Sequence, residues 1–513
     1  MKKIIATFFL ALMAIGASAT PAGTYNVRDF GAKGDGINID SHAINDAIEA
    51  AALAGGGTVY FPAGTYSSYS IRLKDNISLF LDRGAVIKAA VPTAEEAYDL
   101  PEPNDSHYQD FGHSHWKNSL IWGIRLHDVS ILGFGLIDGT EGITRGQEKM
   151  NGFPAANKAI ALKECRNVTI RDISMLMCGH FALLLTGIDN LTIDNVTADT
   201  NRDAFDIDCC SNVRITGCNV NTLNDDGIVL KSSYALDYAK ATENVEIRDC
   251  RVSGFDPGTL LDGSLGTTVK AAPDRDGPTG RIKIGTESNC GFKHITISDC
   301  TFRHCRGLAL ETVDGAVIED VNVSNIIMDE IFNSPIYIRL GNRARGPVGL
   351  PHSSIRGISI SNVVVNDADC RYASMLFGLE EHMIEDVSIS NVFIRYKGGL
   401  SMQDVMDQNL SNSFFNKELK KGRKSVYDIP QQEKGYPEPS SHGVLPAYGL
   451  FVSHARNVSF RNFIFETAEA DSRHAVLLMD VENASFENVT GIRDTVILRQ
   501  SGAVYDYATE LGQ

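Results

Sequence analysis

Three aspartates have a spacing that could do chemistry. Asp203 stands near the start of a short β-patterned run in NRDAFDIDCC, and the adjacent pair Asp225 and Asp226 follows in NTLNDDGIVLKS, one residue pair short of two dozen positions on. If the chain coils with a period of that size, residues one period apart stack, and the three carboxylates meet. Like charges gathered so closely cannot all ionise freely, so one keeps its proton at a pH where its neighbours have lost theirs. A carboxylic acid and a carboxylate a few ångströms apart are the pair that glycosidic bond cleavage requires: one protonates the leaving oxygen, the other draws a proton from water. Asp206 and Asp208 alternate with Phe205 and Ile207 and belong to the outer face of the same run, with Asp206 a supporting residue beside the trio. Strict alternation cannot expose both Asp225 and Asp226, so a bend or bulge is expected there.

The elements that must position these groups are short and repeated. NVTIRDISM from Asn167, NLTIDNVTA from Asn190, NVRITGCNV from Asn212, NVEIRDCRV from Asn244 and HITISDCTF from His294 share one pattern, which continues to NVSFRNFIF from Asn457. Within NVRITGCNV, Val213 and Ile215 point one way and Arg214 and Thr216 the other. A unit of two or three such strands cannot bury its own apolar face and must stack on its neighbours. The expected fold is all-β: a right-handed parallel β-helix, a solenoid of residues 20–513 in one catalytic domain. A helix-patterned stretch from Ser41 to Ala54 is expected to cap its open end. Three long polar insertions interrupt the repeat, Ala90 to Lys117, Gly254 to Gly280 and Gly398 to Pro446, and loops leaving one side of a solenoid commonly wall a groove. High walls favour attack at a chain end.

Charge and cysteine usage narrow the partners. The formal charge of −17 speaks against nucleic acid, which calls for a basic footprint. Cys218, Cys250 and Cys300 occupy a slot that other segments fill with Ile173, Val196, Ile326, Val363, Val392 or Phe463, so they read as buried apolar thiols and not as a disulfide framework. His107, His113 and His115 lack a second type of ligand beside them and read as loop histidines with no metal to bind. Met1 to Ala19 has a basic start, an apolar run and a small-residue site at Ala17-Ser18-Ala19, the pattern of a cleavable signal peptide; the expectation is a secreted or periplasmic protein with no membrane anchor.

The YNVRDFGAKGDG start, the TVYFPAGTY segment and the N-x-D…DDGIVLKS constellation together resemble glycoside hydrolase family 28, the polygalacturonases and rhamnogalacturonan hydrolases of pectin breakdown. GTESNCGFKHITIS, CRGLALETVDG, SPIYIRLGNRARGP and YPEPSSHGVLPAYG look like a bacterial branch of exo-acting or rhamnogalacturonan-directed members. The resemblance implies that Asp225 is the general acid and that Asp203 and Asp226 activate water, with Asn201 and Arg202 completing the first motif. It implies no metal and no organic cofactor. The family's Gly-His-Gly triplet falls on Thr279-Gly280-Arg281, and its Arg-Ile-Lys triplet on Ala309-Leu310-Glu311, so the usual holders of a galacturonate carboxylate are missing.

Those departures shift the expected substrate toward galacturonate next to a neutral sugar such as rhamnose, released from chain ends with inversion. Glu311 is then a candidate for sugar hydroxyls, and Arg281 and Lys283 for the carboxylate from a shifted position. Lys231, His180, Arg339, Arg343 and Arg345 are further candidates for the cleft. Three rivals stay open: exo-action on homogalacturonan, a β-eliminating polysaccharide lyase, and a pectin-binding solenoid without turnover.

Overall fold

The computed structural model describes residues 23–103, 108–109, 111–146, 148–499 and 504–506. The leader pattern of residues 1–19 and His107 lie outside these. Each coil lays one short strand on each of three faces. One face stacks Arg166–Arg171, Asp189–Asp194, Ser211–Thr216 and Thr242–Arg248; a second stacks Ser174–Leu176, Thr197–Thr200, Asn219–Thr222 and Arg251–Ser253. The third, which carries the aspartates, stacks Phe181–Thr186, Asp203–Asp208, Ile228–Ser232 and Ile282–Ser288. Apart from two short antiparallel pairings the strands run parallel, in a right-handed β-helix.

Side-chain alternation sets the register. Val168, Leu191, Val213, Val245 and Ile295 form one buried column and Ile170, Ile193, Ile215, Ile247 and Ile297 the next. The insertion after Gly254 lengthens a coil without shifting these columns, because a one-residue slip would turn every apolar side chain outward. Cys218, Cys250 and Cys300 stack inside the same core, each 1% exposed.

The corners explain the recurring Asn and Asp. Asn167, Asn190, Asn212 and Asn244 all have positive φ between 55° and 62°, a conformation that short amide and carboxylate side chains tolerate. Their amides bond along the solenoid: Asn190 donates to Asn167 at 2.9 Å and Asn212 to Asn190 at 3.2 Å. At the amino-terminal end the helix Ser41–Leu53 turns Ile44, Ala47, Ile48 and Ala51 onto the core, closing the exposed strand edges. No helix among the described residues is long and apolar enough to cross a membrane.

Candidate active site

Asp203 begins its strand on the third face, and Asp225 and Asp226 lie in the corner leading into the strand Ile228–Ser232 of the next coil. The expected bend is that corner. Asn201, Arg202 and Asp203 therefore stack on Asn224, Asp225 and Asp226: the Asn224 amide donates to Asn201 Oδ1 at 2.6 Å, Arg202 Nε to Asp225 at 2.9 Å, and the Asp226 backbone N–H to Asp203 Oδ1 at 3.2 Å. Oxygens of the three carboxylates lie within 4.8 Å of one another. That is closer than the roughly 6.5–9.5 Å that a simple two-carboxylate inverting site leaves for water.

A cavity of about 180 Å³ opens over this floor, and all three insertions roof it. The first contributes His113, the second Asp274 and Arg275, the third Phe415 and Tyr436. The two aromatic rings stack at 5.0 Å with 15° between their planes, a platform of the kind on which sugar rings pack. Lys231, Lys283 and Glu287 complete the wall from the third face.

The charges around the trio are unevenly shared. Burial, together with the neighbouring Asp225 charge, pushes the Asp203 carboxyl up to about 7. Burial also opposes ionisation of Asp225, yet Arg275 at 3.1 Å and Arg202 at 2.9 Å outweigh it and hold this carboxyl well below the usual range. Asp226 is likewise lowered against its burial by Lys283 at 3.3 Å and Arg281 at 2.8 Å. Of the three, Asp203 is thus the carboxyl whose protonated form is favoured, whereas the family resemblance makes Asp225 the general acid.

Several candidates take places other than those the sequence suggested. Glu311 is fully buried beneath Lys283 and Arg281, 3.4 and 3.7 Å away, so it braces those cations and does not reach a sugar. Arg281 is 2% exposed and lies under Asp226, outside the cavity wall; Lys283 does reach the cavity. Arg339, 1% exposed, donates to the carbonyls of Gln431 at 2.6 Å and Gln432 at 3.2 Å, tying down the third insertion. Arg343 pairs with Asp314 at 2.9 Å and Glu287 at 3.6 Å, and Arg345 with Glu287 at 2.9 Å, so both brace the cavity wall from behind. His180 is 7% exposed and supports Arg202 through Nδ1 at 3.3 Å. Asn201 is held by Asn224 and does not line the cavity. Asp206 and Asp208 face outward from the coil, as alternation requires, yet both are fully buried, Asp206 against His113 of the first insertion and Asp208 against Ser233.

Reading His113 as a loop residue without a role fails. Its imidazole, 4% exposed, meets Asp206 at 3.1 Å and the Lys231 ammonium, and its Nδ1 has no hydrogen-bond partner among the described residues where the ring lines the cavity. Lys231 pairs with Asp206 at 2.8 Å and Glu287 at 3.3 Å, which keeps it charged against its burial. Two groupings, His113 with Asp203 and Asp206, and the aspartate trio, bring potential metal ligands within 4.8 Å. In both, ammonium or guanidinium groups already pair with member carboxylates. Gly280 is closed to the missing histidine: a Cβ there would come within 1.9 Å of the Ser253 carbonyl oxygen. Arg275 and Phe415 carried no sequence signal beyond their place in polar insertions beside the repeat, and Tyr436 only its place in YPEPSSHGVLPAYG.

Residues 24–102 match the family model described as rhamnogalacturonase A/epimerase, pectate lyase-like, and residues 117–272 that of a right-handed β-helix region. A Vitis vinifera protein named "Probable polygalacturonase" is 24% identical over 388 residues, 71% of this chain and 73% of that one. A family 28 exopolygalacturonase structure from Yersinia enterocolitica superposes with a TM-score of 0.59 at 15% identity, covering 90% of this chain and 78% of that one. The Thermotoga maritima exopolygalacturonase gives 0.56 at 21%, covering 74% and 88%.

Proposed function

We propose, for a chain that belongs to glycoside hydrolase family 28, that it hydrolyses pectic chains from their ends, releasing galacturonate from rhamnogalacturonan-type substrates with inversion. The observation that carries the proposal is the trio Asp203, Asp225 and Asp226 gathered on the floor of a small cavity roofed by three insertions. Such a roof admits a chain terminus and obstructs a polymer lying through the groove. Arg202, Arg275 and Lys283 give that floor the positive charge a uronate needs, and arginine suits bidentate carboxylate binding.

The same residues supply a catalytic sequence. A substrate carboxylate draws Arg275 and Arg202 away from Asp225, whose affinity for a proton then rises, and the proton passes from Asp203 to Asp225. Asp225 donates it to the glycosidic oxygen as the bond to the anomeric carbon breaks. Asp203, now ionised and with a proton affinity near neutral pH, takes a proton from the attacking water, held between it and Asp226. Asp226, its charge balanced by Lys283 and Arg281, is a poor nucleophile, and Asp203 is engaged as the base toward water, which favours direct attack by water over a covalent intermediate.

Galacturonic acid oligomers and rhamnogalacturonan oligomers, supplied separately, distinguish the proposed substrate from homogalacturonan by which of them yields monosaccharide. Proton spectra in the first minutes of turnover report the anomer. Retained configuration refutes inversion, and an unsaturated, ultraviolet-absorbing product refutes hydrolysis. The leader pattern of residues 1–19 supports action outside the cytoplasm, which the mature amino terminus of the exported protein would test.

A further inference from the structure

A second cavity of about 560 Å³ lies further along the solenoid, between the turn Leu379–His382, the third insertion at Gln431 and Glu433, and the corner carrying His454 and Asp480. None of its lining residues belongs to the aspartate site. Its walls are fixed. The backbones of Leu379 and His382 exchange two hydrogen bonds of 3.0 Å, presenting Glu380 and Glu381 on a tight turn. Gly378 packs so closely on the His454 carbonyl that a Cβ would come within 2.1 Å of it. Glu433 is held by the Asn342 amide at 3.0 Å, and Arg339 clamps the Gln431 and Gln432 carbonyls from below. The His352 and His382 rings stack at 4.2 Å.

Within this frame some hydrogen-bonding capacity is unspent. His454 is 5% exposed and lines the cavity, yet its Nδ1 makes no hydrogen bond among the described residues; the Asp480 carboxylate is 3.6 Å away. Its Nε2 meets the Gln431 amide nitrogen at 3.2 Å, which leaves Nδ1 as the donor, and Gln431 Oε1 likewise has no partner among the described residues. A buried donor and acceptor left open at a cavity wall cost stability unless something occupies them.

We propose that this cavity is a binding site for an uncharged sugar residue, its hydroxyls donating to the carboxylates and Gln431 Oε1 and accepting from His454 Nδ1. Glu380, Glu381, Glu433 and Asp480 line it with no lysine or arginine, so a uronate is repelled. Among the described residues these acids and imidazoles do not gather into a set of three ligand atoms within 4.8 Å, as a metal ion needs. Acceptors spread around a rigid wall match a ring of hydroxyls. The site deepens the proposed function by giving a pectic substrate's neutral sugars a place to bind, and it rests on that reading only for the kind of molecule.

The test uses the full chain carrying Asp203→Asn, so that turnover does not consume the probe. L-rhamnose, D-galactose and D-galacturonic acid are titrated separately, with binding read by ligand-observed NMR. The expected result is saturable binding of at least one neutral sugar, not displaced by galacturonic acid, and weakened at least tenfold by His454→Ala or Glu381→Gln. Glu381 is exposed on its turn, so that variant keeps the fold even where His454→Ala does not. With Asp203 intact, both variants should hydrolyse a short galacturonic acid oligomer as the parent does. Absence of saturable binding of either neutral sugar, equal displacement by galacturonic acid, or binding unchanged in both variants overturns the site. A parent inactive on every pectic oligomer, with neutral sugar binding intact, overturns the hydrolase reading and leaves this one standing.

Discussion

Arg275→Gln removes one of the two guanidinium groups that hold Asp225 ionised, and its consequences follow from the distances. At 3.1 Å, with an effective dielectric constant of about 20, one charge pair is worth about 5 kcal/mol before desolvation is counted. Measured effects of a single neighbouring charge on a carboxyl are smaller, about one to three pH units, or roughly 1.4–4 kcal/mol. Arg202 remains at 2.9 Å, so the lower half of that range is expected. The assay is the pH dependence of kcat/KM for release of galacturonate from a short oligomer. In the parent the acidic limb lies low, because Asp225 and Asp226 are both held as anions, and the basic limb falls near 7, where Asp203 loses its proton. In the variant the acidic limb moves up by about one to two pH units, while the basic limb stays or rises slightly. KM rises as well, because Arg275 also receives the substrate carboxylate. An acidic limb that stays in place, or moves down, in a variant that remains active would falsify the proposed exchange of arginines between Asp225 and substrate.

The remaining predictions concern the trio, the roof and the solenoid. Asp203 has a proton affinity raised on folding, so its favourable contribution to stability is complete below about pH 4 and is lost as pH rises through about 7. Asp203→Asn should therefore abolish turnover yet melt at a higher temperature than the parent at pH 8, by at most about 4 kcal/mol, with the difference vanishing near pH 4; equal pH profiles of melting would contradict the assignment. Phe415→Ala strips the outer ring from the aromatic platform, and a roughly two- to tenfold rise in KM with little change in kcat is expected. Gly357 occupies a corner at φ 66° that other coils give to Asn or Asp, and a Cβ there finds no atom nearer than 3.5 Å. Gly357→Asn should extend the amide ladder toward Asp320 and stabilise the fold by about 0.4–1 kcal/mol, read from denaturant melts; destabilisation would mean that the corner does not accept a side chain.

The solenoid was legible because each of its requirements is local and repeats. Apolar residues at alternate positions face the core, and a short polar residue marks each corner where φ turns positive, so Val213, Ile215 and Asn212 announce their places without reference to the rest of the chain. The gathering of the three aspartates was legible for the same reason: Asp203 and Asp226 stand one coil apart, and stacking follows from the repeat. The insertions obey no repeat, and there the sequence alone was silent or misleading. Alternation correctly turned Asp206 away from the coil interior, but only the packing of loops over that face decided that it, Glu311 and Arg339 would be sealed. His113, Arg275, Phe415 and Tyr436 reach the floor from chain segments distant in sequence, each held by tertiary contacts that no spacing encodes. Where the proton rests was likewise a matter of tertiary structure. Three aspartates identical in chemistry differ because two have cations within hydrogen-bonding or ion-pair distance, while Asp203 has burial and its neighbours' charge.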